Sequence, residues 1–322
     1  MLARAFLIML GVSLAGIATT AADETWPTRA IKVIVPVAAG GGVDTMARIM
    51  AEPLGQRLRQ GVVVENMGGA GGVIATNTVA KAEPDGYTFL FDTPGQAAGP
   101  FVHKHLAYDP IKDFAAVSLV ARFPLVLVIN PKVPAQNLAE FVALLKANPG
   151  KYTFGSSGVG GSSHIPVELF KHLANVDIMH IPFRGNSESS AALIAGNVDM
   201  IIDGIAPQLG NIKEGRVRAI GVTTLERTPF LPDVPTIAEL LPGYEYPMWV
   251  GVSAPAKAPR DIVDRLSSEI AAAVQAPVTK RRYSDINVEA VGSSPAQFDQ
   301  FFRQQLAVNK DIITRAHIEP VD

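Results

Sequence analysis

The sequence predicts an α/β fold that is divided into two lobes. Strand-like and helix-like segments alternate almost throughout its 322 residues, a pattern typical of α/β architecture with mainly parallel sheets. Without a leader, the chain has about 300 residues, the size at which a single core usually splits into two. Few strand-like segments follow Ser253. We therefore expect the C-terminal part to pack back onto the N-terminal sheet, with the middle of the chain inserted as a second lobe.

Residues 1–22 have the features of a cleaved signal peptide. Arg4 supplies the positive charge at the start, and residues 5–18 form an uncharged, largely apolar run that is short for a membrane span. Small residues at Thr20 and Ala22 predict cleavage after Ala22. The chain contains no cysteine, which excludes disulfides and a lipid anchor on cysteine. We expect a periplasmic protein without a lipid anchor.

Short runs of β-branched residues predict the strands, and apolar residues at helical spacing predict the helices. Helix stops such as Asn148-Pro149-Gly150 separate them. We predict the first lobe over residues 23–124 and 247–322 and the second over residues 125–246. The predicted strands are 31–35, 62–65, 89–91, 125–129, 152–155, 179–181, 200–202, 219–222 and 249–253, and the clearest predicted helices are 46–58, 138–147, 165–173, 187–195, 262–274 and 295–309.

A serine- and glycine-rich loop, residues 155–164, lies between a predicted strand and a predicted helix. Its small residues let the backbone approach a ligand closely, and its serines supply hydroxyl groups. The helix start adds free N–H groups and the positive end of a dipole. This combination is suited to an anion. The alternative is a glycine-rich turn with an ordinary serine N-cap.

A second strand–loop–helix segment supports the anion hypothesis. The predicted strand 31–35 leads into Val37-Ala38-Ala39-Gly40-Gly41-Gly42-Val43-Asp44, after which a helix begins. Asp44 is a plausible N-cap for that helix. Two such loops in one chain suggest a single ligand held from both sides, and a carboxylate is the obvious anion.

Four further residues are candidates for the cleft. Thr93 and Gln96 follow a predicted strand, and ligand loops of α/β folds lie at the carboxyl ends of strands. Gln96 either orients a polar group or is a plain loop amide. Phe183 either forms a wall of the pocket or belongs to the core. Asp203 either accepts a hydrogen bond from a ligand amine or hydroxyl, or caps the turn at Gly204.

The histidines and the charge pattern argue against other functions. His164 either donates to the anion or packs at the helix start, and a metal site at His103 and His105 has no acidic partner nearby in sequence. The net charge is −2 without a Lys/Arg run, which argues against nucleic acid. We expect no cofactor and no metal. An exported serine hydrolase using Ser157 or Ser162 with His164 is the alternative from another class, but residues this close in sequence do not easily form a nucleophile–base–orienter line.

Several motifs, in one order, resemble the Bug/TctC solute receptors of tripartite tricarboxylate transporters. The resemblance covers essentially the whole mature chain and departs from the family pattern at Ala38, Met67, Gly68 and Gly161. The motifs that carry it are Trp26-Pro27-Thr28-Arg29, Gly41-Gly42-Val43-Asp44, Val64-Glu65-Asn66, Pro84-Asp85-Gly86-Tyr87-Thr88, Tyr108-Asp109-Pro110-Ile111-Lys112-Asp113-Phe114, the 155–164 loop, Ile181-Pro182-Phe183-Arg184-Gly185 and Leu231-Pro232-Asp233-Val234-Pro235-Thr236.

The resemblance implies a two-lobed, type II periplasmic-binding-protein fold, a cleft for a small carboxylate and no catalysis. It also implies inner-membrane permease subunits as partners, with a membrane sensor kinase as the alternative partner, and we expect a monomer. The ligand stays open among aromatic dicarboxylates, aliphatic di- or tricarboxylates, acidic amino acids and nicotinate-like acids. The ligand loops that the resemblance implies fall on Ala39, Gly40, Gly41 and Asp44, and on Ser156, Ser157, Gly160, Ser162, Ser163 and His164.

Overall fold

The computed structural model describes residues 26–321, which form two sheets surrounded by helices. The strands are β1 (Ile31–Val35), β2 (Val62–Asn66), β3 (Thr88–Asp92), β4 (Phe114–Phe123), β5 (Leu125–Ile129), β6 (Thr153–Ser156), β7 (Met179–Pro182), β8 (Met200–Gly204), β9 (Arg218–Val222), β10 (Met248–Pro255) and β11 (Glu289–Ala290). The helices are α1 (Gly42–Leu58), α2 (Val73–Ala80), α3 (Pro94–Val102), α4 (Leu138–Ala147), α5 (Ile165–Ala174), α6 (Asn186–Ala195), α7 (Ile205–Lys213), α8 (Arg260–Gln275), α9 (Pro277–Ser284) and α10 (Pro295–Arg315).

Each lobe is built on one mixed sheet. The first sheet has the order β11-β4-β10-β3-β1-β2, and the second has the order β7-β6-β8-β5-β9. Our prediction of mainly parallel sheets is wrong, because β10 runs antiparallel to both β3 and β4, and β5 runs antiparallel to both β8 and β9. The parallel pairs that remain are those around β1 and β6. These parallel strands lead into the loops predicted to bind a ligand.

The core of the first lobe explains why the C-terminal helices return to it. Helix α1 buries Met46, Met50 and Leu54 on one face, as its apolar spacing predicts. Helix α8 packs against α1 and β4, and α10 packs against β4 and α3. This arrangement confirms the expectation that the chain after Ser253 packs back onto the N-terminal sheet.

The chain passes between the sheets twice. β4 ends at Phe123 in the first sheet and β5 begins at Leu125 in the second, while the return runs from β9 to β10. In this return segment, the Tyr244 hydroxyl donates to the Pro166 carbonyl in α5 at 3.0 Å, and the Tyr246 hydroxyl lies 3.5 Å from Asn309 Oδ1 in α10. The lobe boundaries at residues 124–125 and 246–247 remain our proposal.

Within residues 26–321, no helix is long and apolar enough to cross a membrane. The predicted signal peptide and its cleavage site at Ala22 lie outside the described residues.

Candidate functional site

The loops at the carboxyl ends of the parallel strands meet between the two lobes. A Cβ atom placed on Gly185 would lie 3.0 Å from the Cβ atom of Ala38, and one placed on Gly42 would lie 4.0 Å from Pro207 Cδ. A Cβ atom on Gly71, whose φ is +63°, would overlap the carbonyl oxygen of Val159. Backbones of opposite lobes therefore touch, and the structure is a closed form.

Three helices from the two lobes begin at this contact. The first turn of an α-helix leaves N–H groups without partners, and the N-termini of α1, α6 and α7 have no side-chain cap. The Gly42–Pro207 and Gly185–Ala38 approaches place these N-termini near one another across the lobes. Free N–H groups and converging positive dipole ends can bind an anion without a charged side chain.

Cationic side chains contribute little to this region. Among the loops that meet across the lobes in the described chain, the one Lys or Arg is Arg184, which is exposed.

A cavity of about 20 Å³ remains beside Gly42, Phe123 and the start of α7. This volume is far below the roughly 300–1,000 Å³ of ordinary ligand pockets. A ligand that binds between the N-termini of α1 and α7 therefore needs the lobes to separate there before it can enter.

The first loop is organised by Asp44, but not as predicted. Gly41 is the N-cap of α1, and the buried Asp44 carboxylate accepts hydrogen bonds from Gly40 N, Arg48 Nε and Asn66 Nδ2 at 2.9–3.0 Å. Burial alone would raise the pKa of Asp44, but these donors outweigh it and lower that pKa. The carboxylate thus uses the Gly40 N–H itself. Asp44 thus holds the shape of this loop, and the ligand contacts at Ala39, Gly40, Gly41 and Asp44 stay predictions.

The serine–glycine loop also uses most of its own N–H groups. Gly160 N donates to His164 Nδ1 at 3.2 Å, so this N–H group is occupied within the loop, and a ligand contact at Gly160 stays a prediction. The N–H groups of Ser157, Gly158, Gly161 and His164 are likewise bonded within the loop. In the described chain, the N–H groups of Ser162 and Ser163 and the hydroxyl of Ser162 have no hydrogen-bond partner. These groups, together with the Ser157 hydroxyl, are what this loop can offer a ligand.

His164 serves the loop rather than the anion. Its ring is 3% exposed, packs 4.4 Å from the His180 ring, and places Nε2 at 3.6 Å from Glu168 Oε1. Burial, with smaller contributions from His180 and Lys171, lowers the pKa of His164 well below its usual value. A neutral ring whose Nδ1 accepts the Gly160 N–H cannot supply positive charge to a ligand.

Ser156 forms the one serine–histidine contact near this loop in the described residues. Its Oγ lies 2.6 Å from His180 Nε2, and burial lowers the pKa of His180 to about 4. Ser156 is fully buried, and within residues 26–321 no carboxylate is hydrogen-bonded to His180. The Ser156–His180 pair therefore lacks the carboxylate that orients the histidine in a catalytic triad. Ser156 holds the loop through Gly158 N at 3.1 Å.

Asp203 is buried behind the start of α6. Its oxygens accept hydrogen bonds from Asn186 Nδ2 at 2.7 Å, Gly204 N at 2.8 Å and Gln208 Nε2 at 2.8 Å. Burial raises the pKa of Asp203, and the three donors partly offset that effect. Asn186 is a site residue that the sequence prediction missed, although its place directly after Gly185 at a helix start was a usable signal.

The remaining candidates divide between the cleft wall and the core. Thr93 and Gln96 are buried at the start of α3, and Gln96 Oε1 has no hydrogen-bond partner in the described chain. Gly95, between them, lies beside Gly160 of the opposite lobe, since its added Cβ would be 3.5 Å from the Gly160 carbonyl. Phe183 is partly buried and packs against the apolar core of the second lobe, as its predicted core role requires, while a pocket-wall role stays a prediction.

His103 belongs to the closed contact between the lobes. Burial lowers the pKa of His103, and its hydrogen bond to the Val159 backbone across the lobes partly offsets this. No group of three or more metal-ligating side chains occurs within the described residues.

Comparison with known families identifies the architecture. Residues 46–318 match the model of the tripartite tricarboxylate transporter family receptor, TctC. The chain belongs to this family. The family consists of solute-binding receptors, which agrees with a cleft that offers hydrogen-bond donors from both lobes.

Three solved structures resemble this TctC receptor over nearly their full length. The periplasmic binding protein BugD is 32% identical with a TM-score of 0.88, covering 92% of this chain and 100% of its own. A Rhodopseudomonas palustris protein with adipate is 33% identical, with the same TM-score and the same coverage. MatC from that organism, with bound malate, is 32% identical with a TM-score of 0.86, covering 89% of this chain and 100% of its own. The predicted two-lobed periplasmic-binding-protein fold is confirmed.

Proposed function

We propose that this TctC receptor captures a small organic carboxylate in the periplasm, between its two lobes, and delivers it to a membrane permease. The observation that carries the proposal is the meeting of the uncapped N-termini of α1, α6 and α7 from both lobes. In this arrangement, a negatively charged ligand completes hydrogen bonds that neither lobe completes alone.

The available donors are sufficient for useful affinity. A hydrogen bond to a charged group contributes roughly 1.5–3 kcal/mol net. Four or five such bonds contribute about 6–15 kcal/mol, a range that includes the roughly 8 kcal/mol that corresponds to a micromolar Kd. The bound adipate and malate of the two R. palustris relatives favour an aliphatic dicarboxylate as the ligand here.

A thermal-shift and calorimetry experiment tests the binding. We expect adipate or malate to raise the melting temperature and to bind with a stoichiometry of one, because a ligand of the native state stabilises it. The uncharged diamides of the same acids serve as matched controls and should give no shift. A protein that ignores every carboxylate in a panel, or binds the diamides equally well, would contradict the proposal.

Variants locate the ligand in the cleft. Removing the Ser157 hydroxyl with Ser157→Ala should weaken binding about tenfold or more, whereas Ser268→Ala on the exposed face of α8 should not. Equal affinities for both variants would place the ligand elsewhere.

Two further measurements test the finer parts of the proposal. Mass spectrometry of the bound acid should recover it unchanged, because no catalytic step is proposed. Uptake of the labelled acid by cells should require both this receptor and the permease subunits. If cells without this receptor take up the acid normally but lose a signalling response to it, the sensor-kinase alternative is favoured.

A further inference from the structure

Asp203 is surrounded only by hydrogen-bond donors. Asn186 Nδ2 and Gly204 N reach one oxygen, and Gln208 Nε2 reaches the other, at 2.7–2.8 Å. All three hydrogen-bond partners of Asp203 are donors, a set that suits the ionised carboxylate, which only accepts hydrogen bonds. The side chain is 3% exposed, and both of its oxygens are occupied by protein donors. Asp203 therefore has little left to offer a ligand directly.

The carboxylate fixes the orientation of Asn186. Because the amide nitrogen of Asn186 donates to Asp203, its Oδ1 must point the other way, toward the serine–glycine loop. Ser163 Oγ lies 2.9 Å from that oxygen. The Ser163 hydroxyl has one proton and two possible acceptors, Asn186 Oδ1 at 2.9 Å and Ser157 Oγ at 3.1 Å. Asn186 Oδ1 is the better acceptor, because it is closer and is held rigidly by the bond to Asp203.

Ser163 in turn holds Ser157. With its proton directed to Asn186, the Ser163 oxygen accepts the hydrogen bond from Ser157 N at 2.9 Å. This bond turns the N–H of Ser157 into the loop, where the Ser157 hydroxyl lies 3.1 Å from Ser163 Oγ. The chain of bonds thus runs from β8 through the first residue of α6 to the loop after β6. It connects three segments of the second lobe with one buried charge.

We propose that Asp203 is a positioning residue, which sets the conformation of the ligand loop through Asn186 and Ser163 and does not touch the ligand. This inference rests on the proposed function and names a residue that acts behind the same site. A positioning role and a direct ligand contact of Asp203 predict different results. In a positioning role, what matters is that position 203 accepts hydrogen bonds from its neighbours, and not that a charge lies next to the ligand.

A polarity swap tests the proposal. In Asp203→Asn, the new amide NH2 group faces the Gln208 NH2 group, so two donors oppose each other where a donor and an acceptor met before. We therefore expect the affinity for adipate and malate to fall at least tenfold. In Asp203→Asn with Gln208→Glu, the pair is complementary again with the carboxylate moved to position 208. Asn211 Nδ2 and Ser190 Oγ, both within 3.2 Å of the Gln208 amide, can donate to that carboxylate. We expect affinity within about threefold of the wild type.

Hydrogen exchange of the ligand-free protein separates this proposal from the proposed function. The Ser157 amide should exchange at least tenfold faster in Asp203→Asn and return to the wild-type rate in the double variant. Asp233→Asn, at an exposed position, is the matched control and should change neither readout. Failure of the double variant to rescue either readout, or an unchanged exchange rate in Asp203→Asn, would overturn the positioning role. Absence of carboxylate binding in the wild type would overturn the proposed function alone.

Discussion

The buried carboxyl of Asp92 should make this receptor less stable as the pH rises. Asp92 is fully buried at the end of β3, where its Oδ2 contacts the Ser253 hydroxyl and its Oδ1 has no hydrogen-bond partner in the described chain. Burial raises the pKa of Asp92 from its ordinary value of 3.8 to about 8, which the Ser253 hydrogen bond only partly offsets. The folded state therefore holds a proton that the unfolded state releases.

The sign and size of the effect follow from this difference. Between pH 4 and pH 8, the folded protein binds one more proton at Asp92 than the unfolded chain does. The contribution of Asp92 to the free energy of unfolding then falls by about 1.4 kcal/mol per pH unit, a loss of at most about 4 kcal/mol at pH 7. Above pH 8 the carboxyl is ionised in both states, and the dependence ends.

Asp92→Asn removes this titration with almost no change of shape. Chemical denaturation at a series of pH values should show the variant gaining stability over the wild type from pH 4 to pH 8 and holding a constant advantage above. Asp261→Asn, at the exposed start of α8, should track the wild type. Parallel curves for Asp92→Asn and the wild type, or a variant less stable at pH 7, would contradict a protonated Asp92 in the folded protein. The carboxyl would then be ionised in the fold.

Three further predictions concern closure, acid stability and association. Gly71→Ala should weaken adipate or malate binding at least tenfold in calorimetry, because its Cβ would block the closed contact, while Gly215→Ala, at a similar positive φ in open space, should leave affinity unchanged. Burial lowers the pKa of His180 to about 4, so the neutral ring stabilises the fold above pH 6.5, and this stability is lost as the pH falls from 6.5 to 4. In chemical denaturation at a series of pH values, His180→Phe should lack this loss of unfolding free energy between pH 6.5 and pH 4. Arg184→Gln should slow ligand association several-fold in stopped-flow measurements at low salt but not at high salt; an equal slowing at both would contradict electrostatic steering.

Much of the fold was accessible from the sequence because strands and helices with clear periodicity fix their own positions. β1, β5 and α4 lie where the apolar patterns predict them. The pattern of β4 was less clear, since alanine and serine interrupt its apolar residues and Pro124 alone separates it from β5. Strand direction was predicted less well. A sequence pattern does not show that β10 returns antiparallel between two strands far away in the chain.

The site was predicted at the level of loops, not of atoms. Glycine content and position after strands indicated the 37–44 and 155–164 loops, and both lie at the contact between the lobes. The sequence could not show that Asp44 would use the Gly40 N–H or that His164 would use the Gly160 N–H. These bonds depend on rotamers and loop curvature. Asn186 was missed because its role depends on Asp203, which is 17 residues away.

The paired tyrosines of the return segment have a consequence for the way the molecule opens. Tyr244 is bonded to the second lobe and Tyr246 to a helix of the first, two residues apart. Bonds that join both halves at one place survive a rotation only if the axis passes close to them. We therefore expect the axis of opening to pass close to Tyr244 and Tyr246, so that this edge of the molecule moves little when the lobes separate.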